Sequence, residues 1–162
     1  LLTLDGEMVV RSKQGRRQIK ASDFFKGIME TALEPNELLV EIILPKVQPS
    51  TGSAFVEISR RHGDYALAGI AAQMTLSGKT VTNLRLAACG VGPCPIRLSD
   101  AEKQICDDGL TEHSIQSAAR AAALEVDPET DLHATADYRR RLTAVLTQQA
   151  LLKAKERAQE IN

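Results

Sequence analysis

Six apolar positions spaced two apart, Ala66, Ala68, Ile70, Ala72, Met74 and Leu76, alternate with smaller or more polar neighbours and commit this stretch to a strand buried on one face. A helix would scatter the same residues around its circumference. Ser77-Gly78-Lys79 then makes a tight turn, after which Leu84, Leu86 and Ala88 again point one way, while Ala54, Val56 and Ile58 do so on the preceding strand. Together they predict a three-stranded antiparallel meander with one face that must be covered. The following sequence supplies the cover. Ser99-Asp100-Ala101-Glu102 has the spacing of a capping box and predicts a short helix to about Asp107, stopped by Gly109. A second helix, starting near Thr111, carries Ile115, Ala118, Ala119, Ala122 and Val126 as an apolar stripe. The last and longest, starting near Thr135, places Tyr138, Leu142, Val145, Leu146 and Leu152 on one side. Strands first and helices second give an α+β fold: a three-stranded antiparallel sheet packed with a three-helix cluster.

Upstream the pattern is more broken. Leu2 to Leu4, Met8 to Val10 and Gln18 to Lys20 read as short strand pieces separated by turns at Asp5-Gly6 and Gln14-Gly15. Asp23 precedes a brief helical turn, Phe24-Phe25-Lys26-Gly27, and a strand from Leu38 to Leu44 ends at Pro45, which has no N–H to give a ladder. Residues 45–53 (PKVQPSTGS) lack large apolar groups apart from Val47 and read as a connector, so a domain boundary is expected there, with units at 1–45 and 46–162. The abrupt apolar start Leu1-Leu2-Thr3-Leu4 reads as a piece of something longer.

Charge narrows the function classes. Twenty basic against 21 acidic residues leave no basic excess to displace phosphate counterions, which argues against nucleic acid as a main partner. No apolar run is long enough to span a bilayer. The odd set Cys89, Cys94 and Cys106 lacks the paired spacing of a disulfide framework or a zinc or iron–sulfur site, and a reducing cytoplasm is the expected setting.

No nucleophile elbow, phosphate loop, dinucleotide fingerprint or His-Glu-x-x-His occurs, and no catalytic residue is assigned. His62, His113 and His133 are isolated in polar contexts, and no metal is expected because a metal site needs several converging ligands. The run Lys153, Lys155 and Arg157 with Glu156 and Glu160 reads as a solvated helix face. The densest polar stretch is Arg60-Arg61-His62-Gly63-Asp64-Tyr65, where one strand turns into the next. Its charges, its bendable glycine and its aromatic ring could present a polar edge and a flat face to a planar ligand. An ordinary hairpin turn with a surface ion pair accounts for the same residues, and composition leaves both readings open.

Four segments in order carry a resemblance: Asp23-Phe24-Phe25 with Leu33 and Glu37-Leu38-Leu39 through Pro45; Ser59-Arg60-Arg61-His62-Gly63-Asp64-Tyr65-Ala66; Gly90-Val91-Gly92-Pro93 with Pro95-Ile96-Arg97; and Asp137-Tyr138-Arg139-Arg140. Over nearly its whole length the chain resembles the FAD-binding medium subunit of molybdenum hydroxylases, the carbon monoxide dehydrogenase and xanthine dehydrogenase family. That resemblance implies that residues 1–45 end an α+β FAD-binding subdomain and that 46–162 form the C-terminal domain. The family's glycine-rich phosphate loops are not found in this sequence. It further implies FAD as cofactor, a molybdenum-cofactor large subunit and an iron–sulfur small subunit as partners, and electron transfer through FAD to an acceptor. Carried over position by position, Leu39 matches an apolar residue near the flavin, Arg60 and Asp64 match polar positions of the turn, and Tyr65 matches the residue shielding one face of the isoalloxazine. Glu57 stands where several relatives have a lysine, so its flavin contact and the local charge depart from the family pattern. A non-catalytic assembly module that binds partner subunits is the alternative reading.

Overall fold

The computed structural model describes residues 1–160. The expected meander is β6 (Thr51–Ser59), β7 (Ala66–Ser77) and β8 (Thr80–Cys89), antiparallel, with Val56 opposite Ile70 and Ala72 opposite Leu86. A two-residue strand, β9 (Ile96–Arg97), extends it to the order β6-β7-β8-β9. Ala68, Ile70, Ala72 and Met74 are buried beneath α2 (Ser99–Asp108), α3 (Glu112–Glu125) and α4 (Ala136–Glu160), as the period-two pattern requires. The long helix α4 crosses β6 and β7, and α2 packs on β8. Small residues set the separation. A Cβ at Gly52 would lie 2.0 Å from the Ala154 carbonyl oxygen and 2.3 Å from the Ala158 amide nitrogen, so β6 and α4 touch backbone to backbone there.

Two helix expectations are corrected. The start of α2 has no side-chain cap; Glu125 accepts from the amides of Asp100 and Ala101, while Glu102 turns away to Arg97 and the Leu86 amide. The capping box sits instead on α3, where Thr111 and Ser114 bond each other's backbone. On α4 the buried face is Arg139, Leu142, Thr143, Leu146, Thr147, Ala150, Leu151, Ala154 and Ala158, whereas Tyr138, Val145 and Leu152 are exposed. Thr143 and Thr147 are buried at little cost because each hydroxyl donates to the carbonyl four residues earlier, at 2.9 and 2.8 Å.

The N-terminal unit is a sheet of order β2-β1-β5, built from β1 (Glu7–Ser12), β2 (Gly15–Lys20) and β5 (Leu38–Ile43), with a helical turn α1 (Ala21–Phe24) and the small pair β3 (Phe25–Gly27) and β4 (Glu30–Thr31). Leu2–Leu4 is a 3-10 turn rather than a strand piece, and Phe25–Gly27 is strand rather than helix, because Phe25 pairs with Thr31. Leu2, Met8, Val10, Ile19 and Phe24 form a second core that reaches Ala87 on β8. Asp5 links the two units, pairing with Arg85 at 2.5 Å and Arg97 at 3.1 Å, and Arg97 also holds Glu102 at 2.7 Å. Strand β5 keeps apolar side chains in solvent, Leu38 at 72% exposure among them, along the sheet's outer edge.

Candidate functional site

The turn between β6 and β7 projects Tyr65 almost wholly into solvent, at 98% exposure. Its shape follows from local bonds. The Ser59 hydroxyl donates to the Arg61 carbonyl at 2.8 Å, the Asp64 amide donates to the same carbonyl at 3.1 Å, and Gly63 takes φ of 93°. The left-handed region costs glycine nothing and other residues appreciably, so Gly63 is the bend that turns the ring outward. Exposure alone does not single out Tyr65, since Met29 and Leu132 are equally open to solvent and single exposed side chains are ordinary; its place beside two hollows does.

Tyr65 stands between two hollows. One, of about 580 Å³, is bounded by Ala66 and Leu67 at the start of β7, by Gly90, Gly92 and Pro93 after β8, and by Asp127, Glu129, Asp131, His133 and Arg139. The other, of about 390 Å³, lies on the side of Arg60, Arg61, Gly63 and Asp64. Tyr65, Leu67 and His133 border both. The larger hollow is bordered by three carboxylates and Arg139, the smaller by Arg60, Arg61 and Asp64. Volumes of this size suit a flat organic ring. Gly90, with φ of 74°, lets the two strand ends approach: a Cβ there would lie 2.6 Å from the Ala66 carbonyl oxygen.

At the wall of the larger hollow sits Arg139, a cation only 7% exposed. Its Nη1 donates to the carbonyls of Leu67 (2.7 Å) and Gly90 (2.9 Å), and its Nη2 donates to Asp131 Oδ2 (2.7 Å). Nε is buried without a hydrogen-bond partner, a cost of about 1–3 kcal/mol that the other contacts must offset. Asp131 Oδ1 accepts from the amides of His133 and Ala134. Those two amides, with the Arg139 guanidinium behind them, hold the Asp131 carboxyl down at about 2. His133 in turn meets Arg60, Nδ1 to Nη1 at 2.8 Å; a guanidinium has no acceptor, so Nδ1 accepts.

Of the residues singled out from sequence, Arg60, Asp64 and Tyr65 come together at this turn. Leu39 and Glu57 border neither hollow. Leu39 sits opposite Val10 in the N-terminal sheet, and Glu57 is exposed on β6 opposite Gly69, near Cys89. Burial, with the Glu57 charge adding to it, pushes the Cys89 thiol up from its ordinary value. His133, Asp131 and Arg139 were not read as site residues. Asp131 two residues before His133 is the one local signal, an Asx turn; the Arg60 to His133 contact spans 73 positions and leaves no trace in sequence spacing. No group of three or more His, Cys, Asp or Glu placed to hold a metal occurs among the described residues.

Residues 53–154 match the family described as CO dehydrogenase flavoprotein C-terminal domain, and residues 1–47 match the FAD binding domain in molybdopterin dehydrogenase. The chain is 37% identical over 160 residues to the 6-hydroxypseudooxynicotine dehydrogenase complex subunit alpha of Paenarthrobacter nicotinovorans, covering 98% of this chain and 54% of that one. It is 34% identical over 150 residues to the carbon monoxide dehydrogenase medium chain of Hydrogenophaga pseudoflava, covering 93% and 52%. A solved structure of carbon monoxide dehydrogenase from Hydrogenophaga pseudoflava, lacking the Mo-pyranopterin moiety of the molybdenum cofactor, superposes with a TM-score of 0.93 at 35% identity over 96% of this chain and 54% of that chain. The chain thus spans about half the length of the curated relatives it matches.

Proposed function

Because the chain belongs to the CO dehydrogenase flavoprotein C-terminal domain family, we propose that it is the part of a FAD-carrying medium subunit that closes over the flavin in a molybdenum-dependent hydroxylase or dehydrogenase complex. The observation that carries this reading is the exposed Tyr65 ring between two hollows at the β6–β7 turn. The residues present fit a planar ring: an aromatic face for stacking, apolar walls from Leu67 and Pro93, and guanidinium groups within reach of a polar edge.

When bound, FAD supplies the redox chemistry, accepting electrons and passing them on. The chain's own residues bind and orient. Tyr65 covers one face of the ring, Arg60 and Arg61 place positive charge beside it, and Pro93 with Gly90 and Gly92 walls off water on the neighbouring side. No acid–base group is required of the protein for such electron transfer, which fits the lack of a catalytic triad in the sequence. The partners in this reading are an iron–sulfur small subunit that delivers electrons and a molybdenum-cofactor large subunit that oxidises substrate, in a cytoplasmic complex. Among the described residues no helix is long and apolar enough to cross a membrane. The boundary near residue 45 would divide the flavin-binding subdomain from the C-terminal domain, with Leu39 and Glu57 as outlying flavin-side positions.

The test is Tyr65→Ala in the FAD-loaded complete subunit. Stacking of this kind contributes about 0.5–1.5 kcal/mol, so FAD binding should weaken by up to about tenfold and the flavin midpoint potential should move, with the melting temperature of the flavin-free subunit unchanged. Unaltered affinity and potential would count against the reading. The assembly reading finds support in β5, whose exposed Leu38, Val40 and Ile42 suit burial against another polypeptide. It is compatible with flavin binding, and charged substitutions at Leu38 and Val40 that leave complex size unchanged on gel filtration would remove it.

A further inference from the structure

We infer that Arg139 is a positioning residue for the Tyr65 turn, the anchor of a closed ring of contacts that holds both ends of that turn to helix α4. The inference rests on the flavin-facing reading of the turn. The ring can be followed residue by residue. Arg139 Nη1 binds the Leu67 carbonyl, two residues after Tyr65, at 2.7 Å. Arg139 Nη2 binds Asp131 at 2.7 Å, Asp131 Oδ1 fixes the His133 amide at 2.8 Å, and His133 Nδ1 meets Arg60 Nη1 at 2.8 Å, five residues before Tyr65. The chain from Arg60 to Leu67 closes the loop. A second bond from Nη1 to the Gly90 carbonyl ties in the wall on the other side of the hollow.

Core filling alone does not explain a guanidinium in this place. A Leu or Met would fill the volume without burying an unpartnered Nε, and buried ionic groups are often replaced by apolar ones without loss of stability. Only a rigid fork of donors can bind the carbonyls of Leu67 on β7 and Gly90 just past β8 and a carboxylate at once. Within the turn, by contrast, the bonds are few and local, so its aim depends on what holds its ends. The ring spans α4, the 127–134 loop, β7 and the end of β8, and the structure places Tyr65 at its open side.

The experiment compares Asp131→Asn, His133→Ala, Arg139→Met and Tyr65→Ala in the complete subunit. His133 and Asp131 are exposed, so their substitution keeps the test meaningful even if Arg139→Met fails to fold. Without flavin, the readout is the initial rate of tryptic cleavage after Arg60 and Arg61. With flavin, it is the FAD dissociation constant and midpoint potential, alongside the thermal midpoint. Both exposed variants are expected to be cut several-fold faster and to bind FAD about tenfold more weakly, the effect of losing one hydrogen bond that orders a contact. The double variant Asp131→Asn with His133→Ala should be no weaker than the worse single, because one break opens the whole ring. Unchanged cleavage and FAD affinity in Asp131→Asn and His133→Ala, while Tyr65→Ala weakens FAD, would overturn the ring alone. An inert Tyr65→Ala would overturn the flavin reading and this inference with it.

Discussion

The substitution Gly52→Ala probes the contact on which the sheet-to-helix packing depends. An added Cβ would stand 2.0 Å from the Ala154 carbonyl oxygen, 2.3 Å from the Ala158 nitrogen and 3.0 Å from the Ala158 Cα. All three are backbone atoms of one continuous helix, so no side chain can rotate away. Restoring an ordinary contact near 3.4 Å requires α4 and β6 to separate by about 1.4 Å at this point. Overpacking of a close-packed core costs about 1–3 kcal/mol, and the absence of a flexible neighbour puts this site in the upper half of that range. In a chain of 162 residues each kcal/mol moves the melting temperature by about 2–4 °C, so a drop of about 4–12 °C is expected. Far-UV circular dichroism melts of Gly52→Ala beside Ser53→Ala, whose side chain is exposed, make the comparison internal. The control should stay within about 2 °C of the parent, since surface substitutions seldom exceed about 0.5 kcal/mol. A Gly52→Ala protein melting with the control would refute the backbone-to-backbone account of this interface.

Two further outcomes follow from titratable groups. Asp131 is depressed from 3.8 to about 2 in the folded chain, so its contribution to stability is present above pH 3.8 and is lost as the pH falls toward 2. Asp131→Asn should therefore melt below the parent at pH 7, with the gap closing by about pH 2; a gap independent of pH would contradict the account in which the Ala134 and His133 amides, helped by Arg139, stabilise the carboxylate. Burial pushes both the Cys89 and the Cys106 thiols up from their ordinary value, so access decides between them, and iodoacetamide at pH 8 should label the exposed Cys106 before the half-buried Cys89, as read by peptide mass spectrometry. Equal labelling rates would show that β8 opens at Cys89 more readily than its packing allows.

The sheet was legible because its physics is local: alternation at Ala68, Ile70, Ala72 and Met74 records the face beneath the helices, and the turn at Ser77-Gly78-Lys79 records antiparallel pairing; the alternation did not show that Leu67, Gln73 and Thr75 on the other face of β7 are buried as well. The face of α4 was not. Arg139, Thr143 and Thr147 are polar by type yet buried, since each finds its partners inside, while Tyr138 and Val145 are apolar yet exposed, so a stripe drawn by hydropathy rotates away from the true one. The Ser99 to Glu102 spacing failed for a related reason: Glu102 is drawn to Arg97 and the Leu86 amide, and Glu125 takes over the helix start. At the site, the turn from Arg60 to Tyr65 was visible as a dense polar run with an aromatic ring. The two contacts that reach the turn, Arg139 to Leu67 and His133 to Arg60, are tertiary, joining residues 72 and 73 positions apart, and no spacing rule reaches that far.

The central claim is that the Tyr65 ring faces a bound flavin. A density map of the FAD-loaded complete subunit at a resolution that shows side chains tests it most directly. The account predicts the isoalloxazine lying flat against Tyr65 at van der Waals separation, about 3.5–4 Å, with the Arg60 turn at one edge and Gly90 to Pro93 at the other. An isoalloxazine bound elsewhere, with Tyr65 covered by protein or left in water, would contradict it.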